Sequence, residues 1–182
     1  IIDLEAIETS IRPNDFHYAR TRLLALENTH NTRGAVLTPE YMDAVGQVAR
    51  ANGLSLHVDG ARIFNASVRI ETPVAELSKD ADTITFCLSK GLSAPVGSVI
   101  CGDRETIDEA RRLRKMIGAG MRQAGIIAAA GVVALETMVD RLAEDHANAR
   151  KLARGLSKIP GVSIDPDNLP TNLIFFNVTA DS

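Results

Sequence analysis

The chain has 182 residues, which is enough for one large hydrophobic core or slightly more than one domain. Its apolar fraction of 45% and charged fraction of 24% are ordinary for a globular protein, and its net charge of −3 argues against general nucleic-acid binding, which needs a basic face. No run approaches the ~18 apolar residues of a membrane span, and the acidic start lacks the basic and apolar regions of a signal peptide.

Helix and strand patterns alternate through the first half of the chain. Thr38 and Pro39 form a typical helix start, Gly53 forms a typical helix end, and the Thr-Pro pair at 72–73 predicts a further helix start. This alternation predicts an α/β fold with a mostly parallel sheet flanked by helices. The predicted helices cover 3–12 and 38–53, and the predicted strands cover 22–27, 54–59, 82–89 and 96–102.

The second half of the chain reads differently. The link between the third and fourth predicted strands is too short for a helical crossover, so we expect this pair to be antiparallel if the two are neighbours. Residues 103–156 predict almost continuous helix, and strand-like runs follow at 162–164 and 172–178. We therefore divide the chain into a partial large domain, 1–158, and the beginning of a small C-terminal domain, 159–182.

The cysteines and the basic run suggest structural roles. Cys87 and Cys101 lie in apolar stretches without metal-ligand spacing, and we interpret them as reduced core residues of a cytoplasmic protein. No three potential ligands have the spacing of a metal site, so we predict no catalytic metal. The basic run at 111–115 follows Asp108 and Glu109, a pattern more typical of a solvated helix face than of a nucleic-acid site.

Asp59 ends a predicted strand in the stretch HVDGARIFNA, 57–66. A carboxylate at the carboxyl end of a strand lies where open α/β sheets bind their ligands. The alternative is that Asp59 caps the following helix and that Arg62 pairs with it on the first turn.

Lys90 follows another predicted strand, in the stretch CLSKGLSAPVG, 87–97. We expect its amine near the edge of the sheet and partly removed from water, which lowers the pKa of a lysine and favours the nucleophilic form that Schiff-base chemistry requires. A solvated surface lysine is the alternative. An Asp that keeps a pyridinium nitrogen protonated and a Lys that reacts with an aldehyde are the two groups that pyridoxal phosphate needs most, so Asp59 and Lys90 suggest one site for this cofactor.

Longer motifs around these residues resemble the low-specificity threonine aldolases. The motifs are HVDGARIFNA, CLSKGLSAPVGSVICG, RKMIGAGMRQAGIIAAAG and RLAEDHANAR, with LENTHN upstream. The resemblance runs from about Asp3 to Asn177, and it implies a pyridoxal-phosphate lyase with the aspartate-aminotransferase (type I) fold. It also implies cleavage of L-threonine and L-allo-threonine to glycine and acetaldehyde, by a homotetramer (a dimer of dimers) whose sites are shared between subunits.

The resemblance implies a role for five residues. Lys90 would be the Schiff-base lysine, Asp59 the partner of the pyridine nitrogen, and Arg62 a contact on the cofactor and substrate side. Arg122, in GMRQ, would reach the cofactor phosphate from a neighbouring subunit. His17, in NDFHYA, matches a position close to the substrate hydroxyl, where a histidine can act as the base; the alternative is a loop histidine bonded to the backbone.

Members of the family extend beyond both ends of this chain. The preceding part holds a phosphate-binding loop and a histidine that stacks on the cofactor ring, and the following part holds an arginine for the substrate carboxylate. We therefore expect the isolated 182-residue chain to be inactive.

The other histidines and two rival functions stay open. His30 lies in a turn-forming run and is as consistent with a structural role as with the site. The pattern around His57 indicates a supporting or core residue, and the pattern around His146 indicates a packing or surface residue. A β-eliminating lyase of the same fold would share the lysine and the aspartate. A scaffold without a complete site would self-associate through AGIIAAAGVVAL, 124–135.

Overall fold

A computed structural model describes residues 1–179, and its centre is a four-stranded sheet. The strands lie in chain order, with β1 pairing in parallel with β2 and β2 in parallel with β3. The last pair, β3 and β4, is antiparallel, as the short link between these strands predicts. The strands are β1 (Leu23–Glu27), β2 (Ser55–Asp59), β3 (Thr83–Cys87) and β4 (Ser98–Gly102).

Seven α-helices surround this sheet or extend from it within the described residues. Their bounds are α1 (Leu4–Ser10), α2 (Pro39–Ala51), α3 (Ile63–Ile70), α4 (Val74–Leu77), α5 (Arg104–Met116), α6 (Gly125–Thr137) and α7 (Leu142–Leu156). Three carboxylate or hydroxyl caps explain where helices begin: Asp3 caps α1, Thr38 caps α2 and Asp103 caps α5. The predicted Thr-Pro start at 72–73 is displaced, because Pro73 occupies the capping position of α4 and makes no side-chain cap.

One face of the sheet carries the larger hydrophobic core. Leu56 and Val58 of β2 are at most 1% exposed, and they pack with Met42 and Val45 of α2 and with Ile63 of α3. Because successive side chains of a strand point to opposite faces, the alternate residues of each strand face away from these helices.

The opposite face of the sheet is therefore free of the larger core. On β2 this face carries Ser55, His57 and Asp59, which are exposed or half-buried. Two of the residues that the sequence singled out, His57 and Asp59, lie on this face, which leaves the Asp59 carboxylate available for a ligand.

A second, smaller cluster joins the end of β3 to the helical half of the chain. Leu88 and Leu92, which follow β3, pack with Ala134 of α6 and Leu142 of α7. Leu88 comes so close to α6 that a Cβ added to Gly131 would lie 2.8 Å from its Cδ1. The segment after β3 is thus anchored by apolar side chains on both sides of Lys90.

The final part of the described chain departs from the prediction. The strands there are only β5 (Val162–Ser163) and β6 (Asn177–Val178), which pair antiparallel. The predicted strand 172–178 is therefore wrong except at its last two residues. The division into domains at 158/159 stays a prediction, and residues 180–182 of the predicted small domain lie outside the described residues.

Two further expectations concern burial. Both cysteines are free thiols, but only Cys87 is half-buried, and Cys101 is exposed on the edge strand β4. The expectation that both are core residues is therefore wrong, because an edge strand is covered by fewer elements. None of the helices in the described part of the chain is long and apolar enough to cross a bilayer.

Candidate active site

Three polar side chains form a row across the free face of the sheet. Glu27 of β1 is in register with Asp59 of β2, and Asp59 is in register with Thr85 of β3. Glu27 and Asp59 are the last residues of their parallel strands, so both carboxylates lie at the carboxyl edge of the sheet. This is where a parallel α/β sheet binds its ligands. The sequence did not single out Glu27 or Thr85, since only the strand register brings them beside Asp59.

Gly60 sets how the chain leaves β2 beside Asp59. Its N–H donates to the carbonyl oxygen of Thr85 at 2.7 Å. A Cβ added to Gly60 would lie 2.8 Å from that same oxygen, so only glycine allows the two backbones to approach this closely. Asp59 accepts a hydrogen bond at Oδ1 from the N–H of Ala61, at 3.0 Å. The carboxylate is thereby oriented by its own turn, while the residue remains exposed.

Arg62 does not pair with Asp59 in the described structure. The residue occupies the capping position of α3 without a side-chain cap, and its Nη1 is buried without a hydrogen-bond partner among the described residues. A buried guanidinium nitrogen without a partner carries a desolvation penalty, so it favours an acceptor on a ligand. The alternative in which Arg62 only forms an ion pair with Asp59 is therefore not found in the described residues.

Lys90 lies three residues after the end of β3, in a compact loop closed by backbone hydrogen bonds. The N–H of Ala94 donates to Leu88 at 3.0 Å, and the N–H of Ser93 donates to Lys90 at 2.9 Å. Ser93 adopts a φ of 61°, which is uncommon for a residue other than glycine and typical of functional loops. Asp59 ends β2 and Lys90 follows β3, the parallel neighbour of β2, as predicted.

The expected partial burial of Lys90 is wrong for the described chain. Its side chain is exposed and lines an open cavity of about 410 Å³ with residues from α7 and its neighbourhood. The other lining residues are Gly91, Ser93, Met138, Arg141, Leu142, Glu144, Asp145, Asn148 and Asn172. Local sequence could place Lys90 after a buried strand, but the water around its amine depends on what packs over the loop.

His17 belongs to an exposed segment between α1 and β1, where it pairs with Asp15. Its Nδ1 lies 2.8 Å from Oδ1 of Asp15, and the same oxygen accepts a hydrogen bond from the backbone N–H of His17, also at 2.8 Å. These bonds from His17 hold the pKa of Asp15 below its usual range. Because a carboxylate only accepts, Nδ1 carries the proton in this pair, and in the neutral form of the imidazole Nε2 has the free lone pair. Among residues 1–179, His17 makes no hydrogen bond or ion pair with Asp59 or Lys90.

The remaining histidines and Arg122 lie in distinct surroundings. His57 bonds through Nδ1 to Oγ1 of Thr83 at 2.8 Å, which supports the predicted secondary role. His30 lies in the loop after β1, where its Nδ1 is 3.1 Å from Oγ1 of Thr32. His146 is 4% exposed, so it packs in the interior. Arg122 is exposed in the connection between α5 and α6.

The expectation that the protein uses no catalytic metal stays a prediction. No group of three His, Cys, Asp or Glu side chains suited to a metal ion is found within the described part of the chain.

A second cavity of about 490 Å³ lies at the end of β1, where Glu27, His30 and Arg33 line it together with apolar residues. Its position at the carboxyl edge places it beside the row of Glu27, Asp59 and Thr85.

Comparison with known proteins assigns the family. A family profile described as "Beta-eliminating lyase" matches residues 1–179. This chain belongs to the beta-eliminating lyase family. The motifs that carry the resemblance to threonine aldolases therefore lie inside a match that covers nearly the whole chain.

Two relatives and one solved structure illustrate the similarity. Low-specificity L-threonine aldolase 1 of Arabidopsis thaliana is 47% identical over 180 residues, which cover 97% of this chain and 50% of that protein. The low specificity L-threonine aldolase of Escherichia coli (strain K12) is 48% identical over 177 residues, 97% of this chain and 52% of that protein. A PLP-dependent aminotransferase from Streptococcus suis superposes with a TM-score of 0.75 at 19% identity, over 100% of this chain and 47% of that one.

These comparisons confirm two expectations. The resemblance to low-specificity threonine aldolases is confirmed, and so is the aspartate-aminotransferase-like fold with a mostly parallel sheet. The chain spans about half the length of each of the two relatives, 50% and 52%.

Proposed function

We propose that the complete protein is a pyridoxal-phosphate-dependent aldolase that cleaves L-threonine and L-allo-threonine to glycine and acetaldehyde. The observation that carries the proposal is that Asp59 is the last residue of β2 and that Lys90 follows β3, the neighbouring parallel strand. The 47% and 48% identity to low-specificity L-threonine aldolases supports this choice of reaction within the family. Such an enzyme would serve threonine breakdown and glycine formation.

The residues at the carboxyl edge fit the cofactor. Asp59 presents an exposed carboxylate, Lys90 an exposed amine, and Arg62 a buried Nη1 without a partner in the described residues. The missing Cβ of Gly60 lets the turn after Asp59 lie directly against the end of β3. The three side chains together offer an anion, a nucleophile and a donor, as a protonated pyridine ring with an aldehyde and a phenolic oxygen requires.

Each of these residues has a defined task. When bound, the cofactor supplies an electron sink for the carbanion that forms at the substrate Cα. Asp59 holds a proton at the ring nitrogen, because an ionised carboxylate stabilises the positive charge there. Lys90 would hold the cofactor through its Nζ, and Arg62 would donate through Nη1 to an oxygen of the cofactor or substrate.

His17 is the proposed base for the substrate hydroxyl. Asp15 holds the imidazole with Nδ1 protonated, so Nε2 is the atom that accepts a proton from the β-hydroxyl group. The pair is exposed and lies outside the row of Asp59, so its part in the reaction requires approach of the segment to the site. We place it there because of the resemblance of the NDFHYA motif.

Arg122 and the apolar surface around it support a homo-oligomer. Ile117 is 81% exposed and Ile126 is 90% exposed, and Arg122 lies between these two residues in the sequence. Apolar side chains this exposed favour association, and we propose that a second copy of the chain covers them. In such a dimer of dimers, Arg122 would reach the cofactor phosphate of the neighbouring subunit, as the resemblance of the GMRQ motif implies. The free thiols of Cys87 and Cys101 favour the cytoplasm as the compartment.

The test uses the complete protein with added pyridoxal phosphate. Borohydride reduction followed by peptide mapping should find the cofactor on the peptide with Lys90, and Lys90→Ala should abolish the attachment. L-threonine should then yield glycine and acetaldehyde. Formation of a 2-oxo acid and ammonia from an amino acid with a β-leaving group, without aldol cleavage, would identify a β-eliminating lyase. Absence of cofactor attachment would favour a scaffold and contradict the proposal.

A further inference from the structure

A buried polar cluster lies directly behind the loop that carries Lys90. Asn65 of α3 and His146 of α7 are only 2% and 4% exposed. Nδ2 of Asn65 donates to Oδ2 of Asp145 at 3.3 Å and lies 3.3 Å from Nε2 of His146. The cluster therefore joins two helices whose contacting residues are about 80 positions apart in the chain.

The orientation of the Asn65 carboxamide follows from its partners. Ionised Asp145 can only accept, so the group of Asn65 that faces it is the NH₂ group. The second hydrogen of this group then points to Nε2 of His146, which accepts only when the imidazole is neutral. Burial lowers the pKa of His146 and so favours this neutral form. Asp145 opposes that effect, whereas the positive charges of Arg69 and Arg150 support it.

This orientation turns Oδ1 of Asn65 toward Gly91, the residue after Lys90. A Cβ added to Gly91 would lie 3.1 Å from Oδ1 of Asn65 and 2.8 Å from Cδ2 of Leu142. The backbone of the loop thus rests on the carboxamide and on the first turn of α7. Leu142 and Asp145 also line the cavity into which Lys90 opens.

We propose that Asn65, held by Asp145 and His146, is a positioning residue that fixes the Lys90–Gly91 backbone relative to the end of β3. Asn65 acts through Gly91, and its hydrogen bonds within the described residues go to Asp145 and His146 and not to Lys90. The inference rests on the proposed function, since it assigns a purpose to the placement of the Schiff-base lysine. It adds to that function a structural connection between α7 and the loop that carries Lys90.

Hydrogen exchange in the complete protein, without cofactor, tests the loop directly. The amides of Leu88, Ser93 and Ala94 are hydrogen-bonded within the loop. In Asn65→Ala we expect these amides to exchange about tenfold faster. The stability that is lost with a buried hydrogen bond corresponds to a factor of this order, and amide exchange measures local opening. The matched control is Val45→Ala, which empties a fully buried position on α2 in the larger core and touches no residue of the loop.

A pair of variants at His146 separates positioning from simple packing. Gln can accept from Asn65 through its Oε1, so His146→Gln should keep the loop amides within about twofold of wild type. Leu cannot accept, so His146→Leu should show the same acceleration as Asn65→Ala. This pair also decides the matter if Asn65→Ala fails to fold.

Cofactor attachment gives the second readout. Borohydride trapping on Lys90 should slow by about 10²-fold in Asn65→Ala and His146→Leu, because misplacement of a reacting group by ~1 Å has an effect of that size. Loop exchange and trapping rates equal to those of Val45→Ala would overturn the inference. A wild-type protein that takes no cofactor on Lys90 would instead contradict the proposed function, and the exchange comparison would still decide the role of Asn65 in the loop.

Discussion

Replacement of Gly60 by alanine tests whether close approach of the β2 and β3 backbones holds the site. The added Cβ would lie 2.8 Å from the carbonyl oxygen of Thr85, about 0.6 Å inside the 3.4 Å at which ordinary contact begins. It would also lie 3.1 Å from Cβ of Ile63 and 3.1 Å from Cδ1 of Ile84. The backbone oxygen cannot rotate away, so the turn after Asp59 must move. Overpacking of this kind costs about 1–3 kcal/mol of the free energy of unfolding.

The assay is urea denaturation of the complete protein, followed by circular dichroism. Gly155→Ala is the matched control, because nothing lies within 4 Å of a Cβ at this position in α7. The control should raise the free energy of unfolding by up to ~1 kcal/mol, since alanine is the better helix former. If Gly60→Ala is no less stable than Gly155→Ala, the turn does not need glycine and the reasoning is refuted. The same variant should also trap less cofactor on Lys90.

Five further substitutions have defined outcomes. Asp59→Asn should leave cofactor attachment largely intact and lower kcat about 10²-fold, because the amide cannot hold the ring proton; unchanged kcat would remove Asp59 from this role. His17→Ala should lower kcat between ~10²- and 10⁴-fold, and Asp15→Asn should lower it less, as a pH–rate profile of each variant would resolve. Thr38→Ala should reduce the free energy of unfolding by about 1 kcal/mol, measured in urea, through loss of the cap on α2. His146 has a pKa lowered by burial, so the unfolded chain binds its proton first and stability falls as the pH drops below the ordinary value of 6.5. His146→Gln should weaken this acid sensitivity in a pH series of melting curves, and an unaltered dependence would contradict it.

Local signals in the chain were sufficient for much of the sheet and its helices. The hydroxyl of Thr38 and the ring of Pro39 begin α2 wherever it packs, since a cap satisfies free N–H groups of its own first turn. The short link before β4 allowed only an antiparallel neighbour. Local signals also predicted where the strands end, and therefore that Asp59 and Lys90 lie at the same edge of the sheet.

Burial was harder to predict, because it depends on what lies across from a residue. The apolar run around Cys101 reads like a core strand, yet β4 is at the edge of the sheet and the thiol is exposed. Lys90 follows a strand of half-buried residues, but its own side chain meets an open cavity. The run at 172–178 has the composition of a strand and finds a partner for only two residues.

The site shows the same division. From the sequence alone came the strand ends, the identities of Asp59, Arg62 and Lys90, and a family resemblance that the comparisons confirm. Tertiary structure alone decided that Glu27 and Thr85 flank Asp59 in register, and that Asn65 and His146 meet behind Gly91. The physical reason is range: caps, turns and strand alternation are settled by neighbours along the chain, whereas register and buried polar contacts join residues that only the packed fold brings together.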